Sequence, residues 1–99
     1  MKFSVKIDRK ENLYRLSRKI GYHFQRENNG EWVFTKSLSE SKFPRFHLFV
    51  KYNQEKSQLD FKIHLDQKRP IYKGAPAHAG EYNSKIIKKE AERIKNFLK

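Results

Sequence analysis

The chain has 99 residues, 36% hydrophobic and 14% aromatic, enough for one small core and too few for two domains of ordinary size. Its 23 Lys and Arg against 11 Asp and Glu leave a formal charge of +12, so the partners to expect are polyanions, nucleic acid first and an anionic membrane surface next. Cysteine is absent, which excludes disulfides and thiolate metal sites; no stretch approaches the roughly 20 apolar residues of a bilayer span or the core of a secretion signal, so a cytoplasmic protein without a membrane span is expected.

The first predicted element is a strand over residues 2–7, where Phe3, Val5 and Ile7 alternate with Lys2, Ser4 and Lys6. Asp8 followed by Glu11 has the spacing of a capping box and predicts a helix starting there, with Leu13, Leu16 and Ile20 on one stripe and Gly21 at its stop. Asn29-Gly30 then marks a hairpin within residues 22–36. A two-residue loop sets Phe24 opposite Thr35. A three-residue loop over Asn28, Asn29 and Gly30 instead pairs Phe24 with Phe34 and Arg26 with Trp32, gathering Tyr22, Phe24, Trp32 and Phe34 on one face. The second register is preferred, because a slip of one residue turns an apolar set to the wrong side.

After a connector over residues 37–44, Phe46, Leu48, Val50 and Tyr52 alternate inward on one strand, and Leu59, Phe61, Ile63 and Leu65 on the next. A symmetric turn makes the apolar faces coincide, pairing Tyr52 with Leu59 and Phe46 with Leu65. Gln67 to Asn83, punctuated by Pro70, Gly74, Pro76 and Gly80, reads as a long loop. A helix closes the chain, with Ile86, Ile87, Ala91, Ile94, Phe97 and Leu98 on one stripe and Lys85, Lys88, Lys89, Lys95 and Lys99 on the other side. The order is β-α-β-β-β-β-α in a single domain. The fold class is α+β, an antiparallel-rich sheet with both helices on one face and the other face free for solvent or a partner.

The register of the last hairpin also aligns its outer face: Arg45 with Asp66, His47 with His64, Phe49 with Lys62, and Lys51 with Asp60. Two opposite-charge pairs are how an ordinary solvated sheet face is stabilised, and Arg45 gives Asp66 a partner of that kind. Two imidazoles side by side repel if both are charged, so at least one is neutral at pH 7. Such a pair permits three readings. Phe49 among cations suits base stacking beside phosphate neutralisation, with Arg45, His47, Lys51, Lys62, His64 and the loop residues Lys68 and Arg69 as further contacts. His47 and His64 as acid and base, with Arg45 or Lys62 stabilising a phosphorane, would make a metal-independent ribonuclease. His47, His64 and Asp66, joined by His78 from the loop, would offer ligands to a metal. No P-loop, dinucleotide-type glycine run, nucleophile elbow or H-E-x-x-H motif is present, and no cofactor is implied.

The stretch from Lys10 to Arg26, a helix ending in Ile20-Gly21-Tyr22 followed by a strand, resembles the start of small mRNA-cleaving toxins of the HicA type. That resemblance implies an α-β-β-β-α core of the double-stranded-RNA-binding kind. The family's histidine follows the glycine of the first hairpin; here Gly30 is followed by Glu31 and Trp32, so the catalytic residue is not carried over. The expectation is a small basic domain that binds nucleic acid, RNA before DNA. A ribonuclease, or a protein-interaction or ribosome-associated module using the same basic surface, stands as the alternative.

Overall fold

The computed structural model describes residues 1–7, 12–67 and 79–98, with side chains in the last segment described from Ser84 onward. The elements run β1 (Lys2–Lys6), α1 (Leu13–Ile20), β2 (His23–Asn28), β3 (Glu31–Ser37), β4 (Arg45–Asn53), β5 (Gln58–Asp66) and α2 (Ala79–Phe97). The strands form one five-stranded antiparallel sheet in the order β1-β5-β4-β3-β2. This is the expected α+β class. It is not the three-stranded core implied by the toxin resemblance, since four strands lie between the helices and β1 adds an edge. No described helix is long and apolar enough to cross a membrane.

β4 and β5 pair in the expected register from Arg45↔Asp66 to Asn53↔Gln58. Their inward residues Leu48, Val50, Leu59, Phe61 and Ile63 are each at most 2% exposed. Leu13, Leu16 and Ile20 of α1 and Ile94 of α2 join the same cluster. Burial on this scale, at about 25 cal/mol per Å² of apolar surface, is what makes so charged a chain fold.

Helix α1 starts later than the Asp8 capping box implies. Asn12 is the cap, its side chain accepting from the Arg15 amide at 3.1 Å, while Asp8 and Glu11 lie outside the described residues. Asparagine is as good a cap as aspartate, and one turn further on it places Leu13 in the core. The helix ends as expected at Gly21, with φ of 85°, the Gly21 amide donating to Arg18 and the Tyr22 amide to Ser17.

The β2–β3 hairpin resolves its two registers by using both. Asn29 and Gly30, at φ of 54° and 84°, form a two-residue turn, so Glu27 rather than Arg26 faces Trp32. The register then shifts between Phe24 and Arg26, which brings Phe24 back opposite Phe34. The turn chemistry selects the short loop, and the extra residue in β2 restores the apolar face. Phe24, Trp32 and Phe34 lie within 6.5 Å of one another by ring centroid, and Tyr14 of α1 meets Phe24 and Trp32 edge-on.

Helix α2 begins at Ala79, inside the segment read as a loop to Asn83; residues 68–78 of that loop lie outside the described residues. A glycine such as Gly80 costs a helix about 1 kcal/mol, a penalty that the rest of a long helix absorbs. Phe97 is not a core residue. It is 53% exposed and lies under the Arg93 guanidinium, 5.5 Å from the ring centroid. Spacing explains this: Ala91 and Ile94, fully buried, and Leu98, half-buried, make the inward line, and Phe97 falls on the adjoining line with Glu90 and Arg93.

That second line carries a polar network the apolar pattern did not announce. Glu90 is 6% exposed. Tyr22 donates its hydroxyl to Glu90 Oε2 at 2.7 Å, and Arg93 donates to both carboxylate oxygens at 2.7 and 2.8 Å and to the Ile20 carbonyl at 2.6 Å. Burial opposes the charge on Glu90, but the Arg93 and Tyr22 hydrogen bonds outweigh it and hold the carboxyl below its usual range. Burial, with the Glu90 contact, pushes the Tyr22 hydroxyl far up.

Candidate nucleic-acid interface

The outer face of the sheet is set by strand alternation. Arg45, His47, Phe49 and Lys51 project from β4, and Lys62 and His64 from β5 beside them. Six of the eight residues expected to contact nucleic acid thus share one surface; Lys68 and Arg69 lie outside the described residues.

Phe49 is the hub of that surface. Its ring stacks on His47 at 4.7 Å with 25° between planes and meets His64 edge-on at 5.8 Å. The Lys62 ammonium lies over it at 4.6 Å. A second cation–aromatic group, Arg45 over Phe43 at 4.7 Å, borders it.

Asp66 has two partners where one was expected. His47 Nδ1 is nearer, at 3.0 Å, and Arg45 Nε stands at 3.6 Å. Directly opposed residues are not always the closest: the diagonal neighbour on the same face is also within reach of a long or ring-bearing side chain. His47 Nε2 and Arg45 Nε are both buried without a hydrogen-bond partner. His64 is exposed. Partial desolvation, then the N-terminal ammonium and Lys62, hold it below the usual histidine range, so it is neutral at pH 7.

The influence of the N-terminus was not foreseen, because nothing in the alternation of residues 2–7 says which strand they join. With β1 beside β5, the Met1 ammonium donates to the Ile63 carbonyl at 3.1 Å, Lys2 faces Lys62, and Ser4 faces Asp60. The Asp60 carboxylate, opposite Lys51 in register, is held by neutral donors instead. Ser4 Oγ and Gln58 Nε2 bond Oδ1 at 2.7 and 2.6 Å, and Asn53 Nδ2 approaches Oδ2 at 3.5 Å. The Ser4 hydrogen bond, with those from Gln58 and Asn53, keeps Asp60 below its ordinary range against partial desolvation. Around it runs an open groove of about 460 Å³, bordered by Phe49 and by Lys2, Lys51, Lys56 and Lys62. Of these, Lys2 and Lys56 were missed by sequence reading.

Among the described residues no group of three or more His, Asp and Glu is disposed to hold a metal ion; His78 lies outside them. No family model, curated protein or solved structure matches the chain.

Proposed function

We propose that this chain is a nucleic-acid-binding domain, for RNA in preference to DNA, and that the outer face of β4 and β5 is its contact surface. The observation that carries the reading is Phe49. An aromatic ring stands on the outer sheet face beside Val33, framed by His47, His64 and Lys62, at the edge of a groove bordered by four lysines and Glu31. A base stacks on such a ring whatever its identity, and the adjacent ammonium groups neutralise the flanking phosphates. Lys62, now over the ring, moves to a phosphate when a base takes its place.

The ribonuclease alternative needs two imidazoles with free nitrogens. His47 has Nδ1 engaged by Asp66 and Nε2 enclosed, which leaves His64 alone, and acid–base chemistry shared by the two is not proposed.

Titration of a labelled single-stranded RNA, and of a duplex, at about 50 and 200 mM salt tests the reading, since binders that neutralise several phosphates lose orders of magnitude in affinity over that interval. Steep weakening is expected. Absence of binding at the lower salt contradicts the proposal and points to a protein partner.

A further inference from the structure

Asp60 is out of place in a phosphate groove. The groove is bordered by Lys2, Lys51, Lys56 and Lys62 and, at the β3 side, by Glu31 opposite Lys51, yet between the lysines it holds a second carboxylate, Asp60, that repels the phosphates those lysines attract. Nor is Asp60 a loose surface acid. Ser4, Gln58 and Asn53, from β1 and from the β4–β5 turn end, fix its orientation, and they do so asymmetrically. Oδ1 takes two short hydrogen bonds, of 2.7 and 2.6 Å, whereas Oδ2 has only the long 3.5 Å approach of Asn53. A fixed, ionised carboxylate whose second oxygen retains accepting capacity asks for a donor from the ligand.

A nucleic acid offers such donors at two kinds of place, the amino groups of its bases and the 2′-hydroxyl of ribose. Position chooses between them. Lys62 is directly opposite Phe49, and Asp60 is two residues back on the same strand, so Asp60 is the diagonal neighbour of the stacking ring. Diagonal neighbours on one sheet face are about 7–8 Å apart. That is the reach from a stacked base to its own sugar, while the base's amino group stays in the plane of the stack above the ring.

Resting on the nucleic-acid reading above, we propose that the groove holds one ribonucleotide of a single strand, its base on Phe49, its phosphates on the lysines, and its 2′-hydroxyl donating to Asp60 Oδ2. Asp60 is then the residue that tells RNA from DNA. A duplex is a poor ligand, because its base faces are already stacked.

The test uses a labelled oligouridine of about eight nucleotides, within the site size of small single-strand binders, as RNA, as the deoxyuridine oligomer, and with every ribose 2′-O-methylated. Wild type is expected to bind RNA about tenfold more tightly than either analogue, the scale of one hydrogen bond to a charged acceptor. Methylation removes the donor and keeps the oxygen, so an affinity equal to that of RNA overturns the proposal without any change to the protein. Asp60→Asn is expected to reduce the RNA-to-DNA ratio to about one while DNA affinity holds or rises, because a negative charge has left a basic groove. An unchanged ratio in that variant overturns the proposal. Equal binding of all three oligomers that is still lost in Phe49→Ala refutes the role of Asp60 and leaves the nucleic-acid reading standing; no binding of any oligomer at low salt removes both.

Discussion

Two carboxylates of this protein sit among similar neighbours and are treated differently. In the core, Glu90 accepts from Tyr22 and from both arms of Arg93, and Arg93 reaches on to the Ile20 carbonyl. On the outer face, Asp66 draws His47 to 3.0 Å but Arg45 only to 3.6 Å, and His47 Nε2 and Arg45 Nε are enclosed with nothing to bond. A buried polar network with all its members satisfied locks α1 and the Tyr22 link to β2 against α2, and it makes no demand on a ligand. A partly satisfied one costs stability, and it persists where the surface has another use. The same contrast holds for the aromatic rings. Phe34 is buried among other rings, whereas Phe49 lies in the sheet's outer face among cations.

The largest effect should come from opening the satisfied network. Glu90→Ala leaves the Tyr22 hydroxyl without its acceptor and the Arg93 guanidinium with the Ile20 carbonyl alone. Urea denaturation should show a loss of about 3 kcal/mol, the scale for removing one partner of a buried ion pair. Asp66→Ala on the exposed side should cost under about 1 kcal/mol, as for other solvent-screened pairs. Equal losses in the two variants would erase the distinction drawn between the clusters.

Next in size is the ring on the outer face. Phe49→Ala should weaken single-stranded RNA binding by about 1–3 kcal/mol, the usual loss for a stacking platform, while Phe34→Ala should act on stability first. Isothermal titration beside thermal melts separates the two, and unchanged affinity in Phe49→Ala would move the interface elsewhere.

The smallest effect is in the pH dependence, and its sign follows from the direction of each shift. His64 is held below its ordinary value of 6.5, so it contributes stability present above pH 6.5 and lost as the pH falls through its folded pKa. Glu90 is held below 4.5, so its contribution is present above that pH and is lost as the pH falls through its own folded value, at still greater acidity. Melting temperature should therefore begin to fall below about pH 6.5 and fall further below 4.5. In His64→Gln the first decline should be smaller and the second unchanged; a first decline of the same size in the variant would assign it to another group.

How much of this was legible in the sequence differs between the same two regions. The outer face of β4 and β5 was readable because two strictly alternating strands admit only one register that buries both apolar sets, and that register fixes Phe49 opposite Lys62 and His47 opposite His64. The Glu90 network was not, because a helical stripe reports apolar positions, and Glu90 and Arg93 are ordinary surface residues by that measure until Tyr22 is brought against them from 68 residues away. The Asp60 site fell between these cases. Its Lys51 and Lys62 neighbours follow from the hairpin, but Lys2 and Ser4 depend on β1 pairing with β5, a choice made by long-range packing. The β2–β3 turn shows a local signal and a global one both obeyed, with an extra residue in β2 as the reconciliation.

The central claim, that the outer face of β4 and β5 is the contact surface and the Tyr22–Glu90–Arg93 side is structural, is tested most directly by mapping. Backbone amide spectra of the ¹⁵N-labelled protein, recorded as single-stranded oligouridine RNA is added, should show shifts concentrated at Phe49, Lys51, Asp60 and Lys62 and at Lys2 and Ser4 of β1. Amides of Ile20, Tyr22, Glu90 and Arg93 should stay in place. Shifts confined to α1 and α2, with the β4 and β5 amides unmoved at saturating RNA, would contradict the account.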